Sequence, residues 1–111
     1  MKPHCIKHIG FVTKKPTMSR EAFFDYWMNR HAGLVRALPH LLRYSANVVD
    51  RARYPGFDHD GFSELWYDSE EALEASLASP QGAAVLADVG NFVERRFAIR
   101  VQEYRHLWSG G

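Results

Sequence analysis

One histidine of this sequence lies within an apolar stripe, where it could take part in acid/base chemistry. It lies in FFDYWMNRHAGLVRALPH, residues 23–40, which is predicted to be helical. At 100° per residue, several large apolar side chains fall within about 60° of His31 around the helix: Phe24, Trp27, Met28, Val35 and Leu38. His31 is therefore predicted to face the core. It is either an acid/base group beside a cavity or a core histidine with both nitrogens hydrogen-bonded.

A second histidine stands on the first predicted strand, next to a position without a side chain. Alternation along residues 5–14 puts His8, Gly10 and Val12 on one face of this strand. Gly10 leaves space beside the strand, and a missing side chain beneath a helix is one way to form a pocket. If this face is turned toward the helix, His8 is a second acid/base group; otherwise it is an exposed histidine near a strand end.

A phenol and a carboxylate on two later strands could reach the same space. Tyr44 is in phase with apolar neighbours, and it either donates a hydrogen bond to a substrate carbonyl or fills the core. Glu64 shares a strand face with Trp66, where a carboxylate is uncommon. It is either an acid/base candidate or the partner of Arg43 or Arg100 in a salt bridge.

These residues lie on strands and helices that are predicted to follow one another in the order β-α-β-β-α-β. Strands are predicted at 5–14, 41–49, 62–67 and 95–104. Each of these runs is rich in apolar and β-prone residues, and Pro, Gly or Asp follows it in the chain. The first helix is predicted over 19–38. The loop 50–60 is long enough to act as a flap.

Capping residues define the predicted helix starts. Ser19 caps the first helix, which ends before Pro39. The second helical region begins at a D-x-x-E capping box that opens with Asp68. It restarts at Ser79-Pro80, a capping serine followed by proline at the first helical position.

This order predicts an α+β, ferredoxin-like fold: a four-stranded antiparallel sheet with both helices on one face. The helices cover only that face, yet apolar residues are predicted on both. On the second strand, for example, Leu41 and Val49 lie opposite Tyr44. The second face therefore predicts a homodimer, the alternative being a moderately apolar exposed sheet.

Length and composition limit the classes of function. The 111 residues predict one domain over 1–111, and a net charge of +1 gives no general field for nucleic acid or anionic lipid. Arg95 and Arg96 are interpreted as a solvated strand end. The single Cys5 excludes an internal disulfide and suits a reducing cytoplasm. No run resembles a signal peptide or a membrane span, so a soluble cytoplasmic protein is expected.

The combination F-x-x-Y-W-x-x-x-H, residues 23–31, followed by Arg43-Tyr44, resembles the EthD family of the dimeric α/β barrel superfamily. The likeness extends over about residues 5–104. It implies a barrel closed by a second copy and a pocket between sheet and helices in each subunit. Its relatives include methylmuconolactone isomerases, which are cofactor-free enzymes that rearrange small lactones by proton transfer, and fungal decarboxylases and dehydratases of polyketide intermediates. The founding member accompanies a haem monooxygenase system that degrades ethyl tert-butyl ether.

Residue by residue, the resemblance implies a role for three side chains. The helix histidine of the isomerases matches His31, and the tyrosine that opens their second strand matches Tyr44. IKHIGFV also resembles the first strand of plant polyketide cyclases, where a histidine takes the place of His8. The sequence departs from many relatives at Gly33, where they have proline.

The expected function is a cofactor-independent isomerase, cyclase, dehydratase or decarboxylase that acts on a small apolar carbonyl, lactone or polyketide-like compound. His31 would move a proton next to the carbonyl, Tyr44 would bind the enolate oxygen, and His8 or Glu64 would assist. The expected substrate contacts are Gly10, Val12, Phe24, Trp27, Met28 and Trp66. No cofactor or metal is expected, and Asp58-His59-Asp60 is interpreted as a solvated turn.

Two alternatives stay open. One is a non-catalytic ligand carrier or accessory protein of an oxygenase pathway. The other is a haem-binding protein of the same superfamily, with His31 as the proximal ligand.

Overall fold

A computed structural model describes residues 3–109 and contains one four-stranded antiparallel sheet. Its strands are β1 (Cys5–Lys14), β2 (Arg43–Val48), β3 (Gly61–Tyr67) and β4 (Val93–Glu103), in the spatial order β2-β3-β1-β4. The helices pack on one face of this sheet. The predicted ferredoxin-like fold is therefore confirmed.

The first helical region is continuous but not uniformly α-helical. It begins as α1 (Arg20–Asp25), widens into a π-helical segment (Tyr26–His31) and ends as α2 (Ala32–Arg36). In the widened segment the backbone N–H of Ala32 donates to the carbonyl of Trp27, five residues earlier. The second region consists of α3 (Glu70–Ala78) and α4 (Pro80–Val89). No helix among residues 3–109 is long and apolar enough to cross a membrane.

Serine side chains begin these helices. Ser19 accepts a hydrogen bond from the N–H of Ala22, and Ser79 accepts one from Gly82, as predicted. The predicted cap at Asp68 is wrong: the hydroxyl of Ser69, one residue later, accepts from the backbone of α3 instead.

Two clusters of buried residues form the core between helices and sheet. One contains Val12, Trp27 and Phe92, and the other contains Val35 and Leu65. Even-numbered positions of β1 therefore face the helices.

The opposite face of the sheet is partly apolar. Phe11 lies opposite Phe97, and Ile9 opposite Ile99, on the strands β1 and β4. Phe97 is 54% exposed and Ile99 is 38% exposed. Leu41 was expected on this face, but it precedes β2 and packs against the core beneath the helices.

Candidate functional site

A cavity of about 180 Å³ lies between the sheet and the helices, bordered by both core clusters. Most of its wall is aliphatic or aromatic. The side chains of His8, His31 and Ser63 are the polar groups that line its interior, and Arg96 stands where β4 borders it. The cavity therefore combines an apolar wall with a few polar groups, which is the usual composition of a small-molecule site.

His31 is held between an aromatic ring and a carboxylate. It is 7% exposed, and its ring centroid lies 4.7 Å from that of Phe92. Its Nδ1 lies 2.8 Å from Oδ2 of Asp88, on α4. A carboxylate only accepts hydrogen bonds, so Nδ1 carries the proton that is donated to it. In the neutral ring, Nε2 is then an acceptor, and no group of residues 3–109 hydrogen-bonds to it.

Among residues 3–109, three side chains donate to the carboxylate of Asp88. Besides His31, the hydroxyl of Tyr26 donates to Oδ1 at 2.5 Å, and the amide of Asn91 donates to the same oxygen at 3.0 Å. Partial burial by itself would raise the pKa of Asp88, but these hydrogen bonds outweigh it and the pKa is lowered. Asp88 is thus kept ionised and fixes both the tautomer and the orientation of His31.

The π-helical segment explains how two residues of one helix reach the same carboxylate. In an α-helix, residues five apart point about 140° away from each other. The wider turn from Tyr26 to His31 brings both side chains to the side that faces α4, where Asp88 lies. Such π-helical segments are rare and often occur at functional sites.

His8 and Ser63 add two polar groups to the cavity. Burial, together with the charges of Arg96 and Arg100, lowers the pKa of His8, so its imidazole is neutral near pH 7. Ser63 lies opposite Gly10 on the neighbouring strand, and its Oγ is 3.5 Å from where a Cβ at Gly10 would be. Each can donate a hydrogen bond into the cavity.

The structure brings half of the predicted site residues together. His31, His8, Gly10, Val12 and Trp27 all line the cavity. Phe24 does not; it packs beside the second core cluster and lies 4.7 Å below the guanidinium of Arg20.

Tyr44 and Met28 line a separate open groove, beside Arg36. The Tyr44 hydroxyl is buried and makes no hydrogen bond of good geometry within the described part of the chain. Burial raises the pKa of this phenol, against smaller opposing effects of the Arg36 charge and the nearby indole of Trp27. Tyr44, which was expected beside His31, is therefore not among the residues that line the cavity.

Glu64 and Trp66 were expected to line the cavity, but neither does. They point to the opposite face of the sheet, because odd and even positions of β3 alternate. Glu64 accepts from Lys7 Nζ at 2.9 Å, and Trp66 Nε1 donates to Glu103 Oε1 at 3.0 Å. The salt bridge of Glu64 is with Lys7 and not with Arg43 or Arg100.

Sequence reasoning missed Asp88, Tyr26 and Ser63. Asp88 interrupts the apolar run AAVLADV, next to the cavity residues Val85 and Val89, and that position is the signal that could have found it. Tyr26 belongs to the F-x-x-Y-W-x-x-x-H combination, but α-helical geometry places it far from His31, so it was not assigned to the site.

Neither a metal nor a haem group fits this site. Among residues 3–109, no three His, Cys, Asp or Glu side chains are grouped as metal ligands. Asp60, in the turn that was expected to be solvated, is instead buried and paired with Arg20 and Arg51. A cavity of about 180 Å³ is close to the roughly 150 Å³ that holds one benzene ring, which is far too little for a porphyrin.

The sheet, the one-sided helices and the cavity between them define a protein of the ferredoxin-like α+β fold. The model of the EthD domain matches residues 15–96, and the chain therefore belongs to the EthD family. An uncharacterised 11.0 kDa protein from the thcB-thcC intergenic region of Rhodococcus erythropolis is 28% identical over 71 residues, which cover 64% of this chain and 69% of that protein.

Solved structures show the same fold at low sequence identity. An EthD family protein of Bacillus halodurans has a TM-score of 0.79 at 22% identity, covering 90% of this chain and 99% of its own. A dimeric protein of unknown function from Bacteroides fragilis has a TM-score of 0.70 at 15% identity, with 92% and 99% covered. Hydroxynitrile lyase of Passiflora edulis has a TM-score of 0.73 at 15% identity, with 96% and 99% covered. The fold thus occurs in an enzyme and in uncharacterised proteins.

Proposed function

We propose that the protein is a cofactor-independent acid/base enzyme acting on a small carbonyl compound or lactone in the cavity beside His31. The observation that carries this proposal is the hydrogen bond from His31 Nδ1 to Asp88, which leaves Nε2 as a free acceptor. An imidazole oriented by a carboxylate is the arrangement that general-base catalysis uses.

In the proposed reaction, Nε2 of His31 takes a proton from the carbon next to the carbonyl. The electron pair of the broken C–H bond moves to the carbonyl oxygen, which gives an enolate, and Asp88 stabilises the imidazolium formed. The enolate accepts hydrogen bonds from His8 and Ser63, which replace Tyr44 in this role. Returning the proton to a different atom completes an isomerisation or assists the loss of a leaving group.

The size of the cavity limits the substrate. About 180 Å³ accommodates one ring with small substituents, by comparison with the roughly 150 Å³ that holds benzene. The walls formed by Val12, Trp27, Val35 and Phe92 favour an apolar ring.

We also propose that two copies associate through the outer faces of their sheets. Exposed Phe97 and Ile99, next to the partly buried Ile9 and Phe11, give that face an apolar centre. The dimeric neighbour from Bacteroides fragilis supports association into a dimer. A cytoplasmic location belongs to the same proposal and is supported by the free, buried thiol of Cys5.

Hydrogen–deuterium exchange at carbon tests the catalytic proposal. A single-ring ketone such as 2-methylcyclohexanone is incubated in D₂O with the protein, and loss of the α-proton signals is followed by NMR. We expect exchange faster than the buffer background, and we expect His31→Asn to abolish the acceleration. His40→Asn is the matched control, because His40 is exposed and has a φ of 66°, which asparagine tolerates.

Two results would contradict the proposal. One is exchange at the background rate with a ketone that binds, which would support the ligand-carrier alternative. The other is acceleration that survives in His31→Asn.

A further inference from the structure

Arg96 stands at the rim of the cavity, on the edge strand β4. The exposed residues beside it at the cavity are apolar, namely Leu77 and Leu86, the latter 56% exposed. A ligand whose ring fills the cavity therefore has both apolar side chains and a guanidinium among the exposed residues that border it.

The charge of Arg96 is not neutralised within the described part of the chain. On the same face of β4, Arg100 lies 3.4 Å from Glu70 and 3.2 Å from Glu74. Arg96 forms no ion pair or hydrogen bond with any of residues 3–109. The two arginines on this face of β4 therefore differ in their partners. Arg100 is paired with two carboxylates, whereas Arg96 borders the cavity.

The groups inside the cavity do not supply a counter-charge for Arg96. Of the side chains that line the cavity, His8 is titratable and uncharged near pH 7, because burial and the charges of Arg96 and Arg100 lower its pKa. The carboxylate of Asp88 already accepts from His31, Tyr26 and Asn91. A carboxylate on the ligand can therefore bind Arg96 without displacing an internal partner.

We infer that the cavity binds single-ring compounds that carry a carboxylate, with the ring against the apolar wall and the carboxylate on Arg96 at the rim. This orientation places the rest of the ring toward His31. The inference deepens the proposed function, on which it rests for the fate of the bound compound. The binding preference itself does not require His31 to be catalytic.

Two probes of matched shape test this inference. Phenylacetate and phenylacetamide differ in charge but hardly in size, and their dissociation constants are measured by NMR titration with the full chain. We expect phenylacetate to bind roughly fivefold more tightly, because an exposed charge-assisted contact contributes about 1 kcal/mol. The preference should decrease as salt is added.

Substitutions assign the preference to one residue. Arg96→Gln keeps the length of the side chain and removes its charge, and we expect the two probes to bind it equally. Arg100→Gln removes a neighbouring charge from the same strand face, and we expect the preference to remain. His31→Asn should also keep the preference, which separates this inference from the catalytic proposal.

Three results would overturn the inference: equal affinities for the two probes in the unmodified protein, no binding of either probe, or a preference that persists in Arg96→Gln. None of them bears on proton transfer by His31, which the exchange experiment measures. Loss of exchange with a retained carboxylate preference would overturn only the catalytic proposal.

Discussion

Tyr26 and His31 are five residues apart in one helix, yet they donate to the two oxygens of a single carboxylate, that of Asp88. The π-helical segment that joins them makes this possible. Because α4 supplies the carboxylate, the orientation of the imidazole depends on the packing of two helices that are distant in sequence.

Asp88→Asn should lower the rate of proton exchange by about 100-fold or more. The asparagine can donate its amide to Nδ1 of His31, which moves the ring proton to Nε2 and removes the base. The rate is measured by NMR with the ketone probe, alongside the affinity for phenylacetate, which should change little. Asp25→Asn is the control, because Asp25 is exposed and, among residues 3–109, its carboxylate accepts a side-chain hydrogen bond from Asn29 alone. Equal rates in Asp88→Asn and the unmodified protein would remove Asp88 from the site.

Tyr26→Phe should lower the rate of proton exchange less than Asp88→Asn does, and it should change how that rate depends on pH. The tyrosine hydrogen bond helps to lower the pKa of Asp88, so its loss raises that pKa toward the ordinary value. We therefore expect a rate reduced about fivefold, as for the loss of about 1 kcal/mol, and an acid limb of the pH–rate profile displaced to higher pH. A uniformly lowered rate without displacement would indicate a purely structural role.

The control for this substitution is Tyr54→Phe. Tyr54 is 55% exposed in the loop between β2 and β3. Removing its hydroxyl should leave both the rate and the pH profile unchanged.

A larger residue at Gly10 should block the cavity without unfolding the protein. Within residues 3–109, a Cβ there would meet Ser63 Oγ alone, at the ordinary contact distance of 3.5 Å, and the position lines the cavity. We expect Gly10→Leu to keep a thermal midpoint within a few degrees of the original and to lose phenylacetate binding. Retained affinity would mean that the ligand binds elsewhere.

Gly61→Ala is the contrasting substitution. A Cβ at Gly61 would collide with the carbonyl of Asn47 and lie 2.7 Å from the ring of Trp27. Because neither the strand nor a fully buried indole can yield easily, we expect a loss of about 2 kcal/mol in the free energy of unfolding. Urea denaturation of both variants would show whether the two glycines differ as described.

Local signals were sufficient to predict most of the fold. Ser19 and Ser79 cap helices because their hydroxyls bond to N–H groups three residues ahead, a relationship visible in sequence. The alternation on β3 separates Trp66 from Leu65 correctly. It does not say which of the two faces meets the helices, and that ambiguity is why Glu64 was placed beside the cavity.

The site was less predictable, because its central contacts are long-range. His31 was found from its place on the apolar stripe, whereas its partner Asp88 is 57 residues further along the chain. Tyr26 was missed for a different reason: its position depends on a departure from α-helical geometry that no single residue type announces.

Stability at low pH should depend on Glu103, on the outer face of the sheet. Burial by itself would raise its pKa, but hydrogen bonds from Arg105, Trp66, Cys5 and Lys7 lower it from 4.5 to about 2. A folded-state pKa below the unfolded value means that the ionised form stabilises the fold above about pH 4.5 and that this contribution is lost as the pH falls toward 2. We expect Glu103→Gln to unfold at lower urea concentration at pH 7 and the difference from the unmodified protein to shrink steadily between pH 4.5 and 2. The control is Glu94→Gln, an exposed position on the same strand, for which no such pH-dependent difference is expected. A constant difference across this range would show that the network acts through packing and not through the charge of Glu103.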